Sequence, residues 1–269
     1  MWLAMALLFG ATGGVLALDN GLMRVEADPA VMALRFLGPA EGPNLVEPLY
    51  VSRLDRRGQA PLDAGGLSWE ILGIDNAALR RGPAEVLRHS DDALVLLSPV
   101  DAGTGLQLKL ELLLDESSPA LRMRATVTSQ SSTPSAPVAV RSAARLWPGT
   151  RALVSNVAPP ALYPLSGPGE PVQVGAWDGT LLNAGEPGTL PALASVLSPL
   201  LTLERGGLRA AVECVQFGAS TAYLSGRNLH AVNHPATRTY GLVTESPFAQ
   251  VDAARPLVHE EVWRIGPLE

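Results

Sequence analysis

Apolar and polar positions alternate with a period of two along most of this chain. Leu106, Leu108, Leu110, Leu112 and Leu114 fall on one face of an extended segment, with Gln107, Lys109 and Glu111 on the other. After the turn-forming stretch Asp115 to Ala120, the pattern resumes. Leu121, Met123, Ala125 and Val127 share one face, and Arg122, Arg124, Thr126 and Thr128 the other. The two runs form an antiparallel hairpin in which Leu114 opposite Leu121 sets Glu111 opposite Arg124.

Further strands are expected at 22–27, 31–37, 69–72, 93–98, 138–147, 200–204, 208–217, 221–224, 240–245 and 258–265. Gly, Pro, Asp and Asn punctuate them, as at Ala27-Asp28-Pro29-Ala30. Only 77–89 suggests a short helix, broken at Gly82-Pro83. The fold class expected is all-β, a large antiparallel sandwich with few or no long helices. One segment departs from the pattern. Residues 155–199 hold eight prolines and six glycines and read as a loop excursion within a single domain, 19–269.

Composition narrows the function. The chain has 269 residues, of which 17% are charged, and a net charge of −6. That balance gives no basic surface for phosphate backbones, so no nucleic-acid partner is expected. Cys214 is the sole cysteine and sits in an apolar alternating run, which reads as a buried structural thiol. Residues 1–18 carry no charged side chain, and small residues approach a cleavage point at Val15-Leu16-Ala17. The segment reads as a secretory signal peptide, or else an N-terminal anchor, and places the chain outside the cell or in the periplasm or envelope. Any membrane contact is expected through this segment alone.

Several segments together carry a family resemblance. Gly21 to Ala27 is followed by Ala33 to Leu37, then by the turn Gly42-Pro43-Asn44-Leu45. Leu97-Ser98-Pro99-Val100-Asp101-Ala102-Gly103-Thr104-Gly105-Leu106 leads into the leucine ribbon, and a later strand ends in Trp147-Pro148-Gly149. Glu260-Glu261-Val262-Trp263-Arg264-Ile265 closes the chain's last strand. The order resembles the uncharacterised secreted branch of the galactose mutarotase-like supersandwich superfamily. The resemblance implies a large β-sandwich with one sheet face that binds carbohydrate. It also implies, for active members, a histidine in an Asn-His motif just after the central region and a glutamate near the C-terminus. Here 138–145 contains no histidine, and Asn233-His234 comes much later, before a proline. The expectation is therefore a carbohydrate- or polyol-binding protein without catalysis.

Candidate contacts follow from residue chemistry. Arg141, Arg145 and Trp147 share one face of a strand; guanidinium forks bind hydroxyl and carboxylate oxygens, and an indole offers a flat apolar plate to a sugar ring. Tyr163 and Trp177 lie in the Pro/Gly-rich excursion. Arg227, Asn228 and His230 belong to the densest polar cluster of the chain, read as a loop at the rim of a ligand site. For anomer exchange by a relocated acid/base pair, Glu245, Glu260 or Glu261 would be the base and His234 or His259 the acid. His230 and His234 are four residues apart, about 13 Å on a strand, too far to share one metal ion. No metal or cofactor is expected, since no nucleophile elbow, phosphate loop, dinucleotide fingerprint or H-E-x-x-H motif occurs. Two alternatives remain open, an aldose 1-epimerase-like enzyme and a structural or interaction module of the envelope.

Overall fold

The computed structural model describes residues 14–48, 66–75, 83–155, 160–164, 172–173, 178–186, 192–223, 226–234 and 238–268. Among them the strands, numbered along the chain, form two antiparallel sheets. The ten-stranded sheet runs, in spatial order, β1 (Leu16–Asp19), β2 (Met23–Asp28), β3 (Ala33–Pro39), β4 (Leu67–Leu72), β9 (Ala139–Arg145), β18 (Thr239–Glu245), β17 (Leu229–His234), β14 (Ala192–Val196), β11 (Ala161–Pro164) and β12 (Val172–Gln173). The nine-stranded sheet runs β13 (Thr180–Asn183), β10 (Arg151–Leu153), β15 (Leu200–Arg205), β16 (Leu208–Cys214), β19 (Leu257–Pro267), β8 (Ala120–Ser129), β7 (Leu106–Leu114), β6 (Ala93–Leu97) and β5 (Glu85–His89). No helix of the described residues is long and apolar enough to cross a membrane.

Alternation sets which way each strand faces. The five leucines of β7 and Leu121, Met123, Ala125 and Val127 of β8 are buried between the sheets. The other sheet contributes Met23, Val25, Leu67, Ile71, Val140 and Leu242 to the same core. Burying one such side chain stabilises the fold by roughly 1.5–3 kcal/mol. The hairpin register is as expected: Leu114 pairs with Leu121 and Glu111 with Arg124. The ion pairs go elsewhere, because Arg124 also has Glu260 opposite it on β19. Arg124 binds Glu260 at 2.7 Å, and Lys109 binds Glu111 at 3.1 Å.

Four expectations are corrected. Within 77–89, residues 77–82 lie outside the described set, and Glu85–His89 is an exposed edge strand rather than a helix. The 155–199 excursion supplies β11, β12, β13 and β14, short strands that the flanking prolines and glycines disguise. The supposed loop around His230 is the strand β17, paired on both sides. Conversely, 221–223 is not a strand: Ser220–Ala222 is a single 3₁₀ turn, and 224 lies outside the described residues. The N-terminal segment also contributes to the sheet. Leu16–Asp19 pairs with β2 and fully buries Leu18, while 1–13 lies outside the described residues.

Gly66 shows how tightly β4 is fitted to β3. Its φ of +63° suits glycine, and a Cβ there would stand 1.8 Å from the Leu34 carbonyl oxygen. Its own backbone bonds Glu47 and Arg145, which seats β4 beside β9.

Candidate functional site

The side of the ten-stranded sheet that faces away from the core collects a polar cluster at its centre. Strand pairing builds it. Glu70 on β4 and Glu245 on β18 both stand opposite Arg141 on β9. His230 on β17 pairs with Val243, one step of the outward face from Glu245, and Ser195 on β14 pairs with His230. Five neighbouring strands thus bring their outward side chains together.

Arg141 is the hub. Its Nε and Nη2 donate to Glu245 Oε1 at 3.1 and 2.6 Å, and its Nη1 donates to Glu70 Oε1 at 3.1 Å. His230 Nδ1 bonds Ser195 Oγ at 2.9 Å. Its other nitrogen, Nε2, stands 3.4 Å from Glu245 Oε1, is buried, and has no hydrogen-bond partner. His230 is only 7% exposed, so this is an expensive place to leave a polar atom unmatched. Burial by itself pushes the Glu245 carboxyl up, but the His230 and Arg141 side chains outweigh it and hold it below the usual carboxylate range.

A second polar cluster lies on the inward side of the same strands. Ser142 and Thr244, the neighbours of Arg141 and Glu245, point between the sheets and donate their hydroxyls to Glu261 Oε1 on β19. His259 Nε2 lies 2.9 Å from the same oxygen, and Trp263 Nε1 donates to Oε2 at 2.9 Å. Glu261 is 1% exposed. Burial raises its pKa, yet the His259 imidazole and the two hydroxyls win and bring it down to about 2. Cys214 lies behind this cluster, and burial, reinforced by the Glu261 charge, pushes its thiol far up. It is an inert core residue.

The expected site residues separate accordingly. Arg141, Glu245 and His230 meet. Arg145 shares their face but lies four residues along β9, about 13 Å away. There its Nε donates to Glu47 at 2.6 Å. Trp147 is engaged locally: its Nε1 donates to the Val46 carbonyl at 3.0 Å, and the Arg205 guanidinium stacks over its ring at 5.2 Å. Asn228 is fully buried and spends its amide on the Ser198 backbone, at 2.9 and 2.8 Å, so it ties β17 to the β14–β15 connection instead of facing a ligand. Arg227 precedes it, half-buried. Tyr163 belongs to β11, where it pairs with Leu193, and Trp177 lies outside the described residues.

The acid/base candidates do not converge as a set. His234 is four residues beyond His230 and pairs with Thr239, far along β17 from Glu245. Glu260 belongs to the other sheet, on its outer face, held by Arg122 and Arg124. Glu261 and His259 are enclosed between the sheets. Two members of the central cluster were missed in the sequence, Glu70 and Ser195. Glu70 was findable, as a charge alternating with Trp69 and Ile71 in an otherwise apolar run. Ser195 sits in a strand of small residues and carries no comparable signal. Among the described residues no group of His, Cys, Asp and Glu has the geometry to hold a metal ion.

Comparison with solved structures gives the fold a name. The chain is similar to a galactose mutarotase-like protein from Lactobacillus casei ATCC 334, with a TM-score of 0.67, 12% identity, and coverage of 94% of this chain and 100% of that one. It is similar to the aldose epimerase homologue of C. elegans, with a TM-score of 0.60, 12% identity, and coverage of 95% and 99%. It also matches part of an α-galactosidase from Geobacillus stearothermophilus in complex with raffinose, with a TM-score of 0.50, 11% identity, and coverage of 94% of this chain and 41% of that one. No protein-family model matches the chain, and no curated protein matches it in sequence. The fold is galactose mutarotase-like, as the sequence resemblance implied.

Proposed function

We propose that this chain binds carbohydrate on the outward face of its ten-stranded sheet, at Arg141, Glu245 and His230, and does not interconvert anomers. The observation that carries the reading is the buried Nε2 of His230, which makes no hydrogen bond and stands 3.4 Å from Glu245 Oε1. A sugar hydroxyl is both donor and acceptor, so one hydroxyl can accept from the imidazole and donate to the carboxylate. Arg141 fixes the carboxylate, and Ser195 fixes the ring. The sugar-related names of the fold neighbours agree with a polyol ligand.

Catalysis is argued against by electrostatics. A general base works best with a pKa near the working pH, and Glu245 is held low by its two cationic or hydrogen-bonding neighbours. The competing reading is an epimerase in which Glu245 is the base and His230, not His234, the acid; the closeness of the two side chains favours it. Calorimetric titration with a panel of neutral hexoses and raffinose, paired with polarimetry on freshly dissolved α-D-galactose, separates the two. Binding without acceleration of mutarotation supports the proposal, and acceleration abolished in Glu245→Gln supports the enzyme. Absence of binding across the panel overturns both in favour of an interaction module.

Export to the periplasm or cell surface belongs to the same proposal and rests on the uncharged run 1–18. Because Leu18 is fully buried in β1, removal of a leader has to fall before Leu16 if that strand is to survive. N-terminal sequencing of the mature chain tests this, and cleavage after Leu18 contradicts it.

A further inference from the structure

The outer face of the nine-stranded sheet carries its own concentration of charge, remote from the cluster around Arg141. On β8 and β19, Val262 stands opposite Arg122 and Arg264 opposite Ala120, so Arg122 and Arg264 are diagonal neighbours on one face. Together with Leu113, Ala120, Val262 and Ser118 they line a cavity of about 290 Å³. Its apolar side includes Leu113, which is 40% exposed, together with Ala120 and Val262.

The arginines are anchored without being used up. Glu260, 3% exposed, is held by Arg124 at 2.8 Å through Nε and 2.7 Å through Nη2, so the Arg122 contact at 3.3 Å adds a second cation to a carboxylate already paired. Arg264 gives one nitrogen, Nη1, to Glu213 at 2.8 Å. A guanidinium has five N–H donors in a planar fork, which leaves each group donors for a second acceptor. Asp115 also borders the cavity, but its carboxylate is turned onto the β7–β8 turn, accepting from Ser117 N at 2.8 Å and Ser117 Oγ at 2.9 Å.

We infer that this cavity is a second binding site, for a small organic carboxylate with a short aliphatic body: the carboxylate bridges Arg122 and Arg264, and the aliphatic part rests on Leu113, Ala120 and Val262. The inference does not depend on the sugar site, which lies on the other sheet. The test uses the full chain, with butyrate as probe and butyramide as its neutral counterpart, followed by NMR of arginine Nε–H and leucine methyl signals. Butyrate is expected to shift the Arg122, Arg264 and Leu113 signals at concentrations where butyramide does not. Arg122→Gln and Arg264→Gln are each expected to weaken butyrate about tenfold, the loss of one charge-assisted contact. Because Arg122 also touches Glu260, Arg264→Gln with an unchanged melting temperature keeps the test clear of folding effects. Equal binding of butyramide overturns the inference. So does an equal loss in Arg151→Gln, a distant arginine of the same face, because it would mean that the overall surface charge alone attracts the anion.

Discussion

Strands β9 and β18 carry two polar clusters back to back, built from the same kinds of residue. Inside, Glu261 meets Ser142, Thr244, His259 and Trp263; outside, Glu245 meets Arg141, with His230 and Ser195 beside it. Each histidine leaves one ring nitrogen without a hydrogen bond, Nδ1 of His259 and Nε2 of His230. The carboxylates differ. Both oxygens of Glu261 are bound by enclosed neutral donors and an imidazole, and that cluster links the two sheets. Glu245 is held from one side by a guanidinium that is 31% exposed, on the face turned away from the core. The inner cluster therefore ties the two sheets together, and the outer one is the site at which we propose that a ligand binds. Residue type alone does not separate the core polar groups from the outward ones; the side of the strand does.

The comparison is broken most forcefully at Glu261. Glu261→Ala strands His259, Ser142, Thr244 and Trp263 in the core and is expected to cost about 3–5 kcal/mol in urea unfolding. Next comes acid sensitivity. The Glu261 carboxyl is lowered from 4.5 to about 2 on folding. Its contribution is therefore fully present above the unfolded value and is lost as pH falls from about 4.5 through about 2, on the order of 3 kcal/mol in all. Glu261→Gln is expected to flatten the stability profile over that window, measured by urea midpoints at stepped pH. The outer cluster should behave in the opposite way. Glu245→Gln is expected to lower sugar affinity about tenfold while costing about 1.5–3 kcal/mol of stability, less than the inner cluster, because Glu245 is 3% exposed but its partner Arg141 is 31% exposed. Calorimetry and urea unfolding on the same variant check the two halves together.

Much of the sandwich was legible because its core strands alternate cleanly. Setting Leu114 opposite Leu121 across the turn gave the β7–β8 register that the structure has. Two of the missed strands show what hid them. β17 carries His230 and His234 on its outward face and Asn233 on its inward one, so a polarity pattern that places a strand by its oily side read it as loop. β14 has Ala192, Ala194 and Ser195 where a typical strand has branched or aromatic residues, and it is stabilised by pairing with β11 and β17 on its two edges. At the site, Arg141 and Glu245 were each identified from the chain, but not their contact, because strands distant in sequence are made neighbours only by the sheet order β4-β9-β18-β17-β14. The same topology sent Glu260 to the other sheet's outer face and His259 inward, a separation that one alternating run, Val258 to Ile265, does not reveal without knowing which side is covered.

The most direct test follows the imidazole signals of His230 and His259 by NMR while the full chain is titrated with neutral hexoses and raffinose. The account predicts that a bound sugar shifts the His230 ring nitrogens and leaves those of His259 in place. A panel in which no sugar moves His230, or in which both rings move alike, would contradict it.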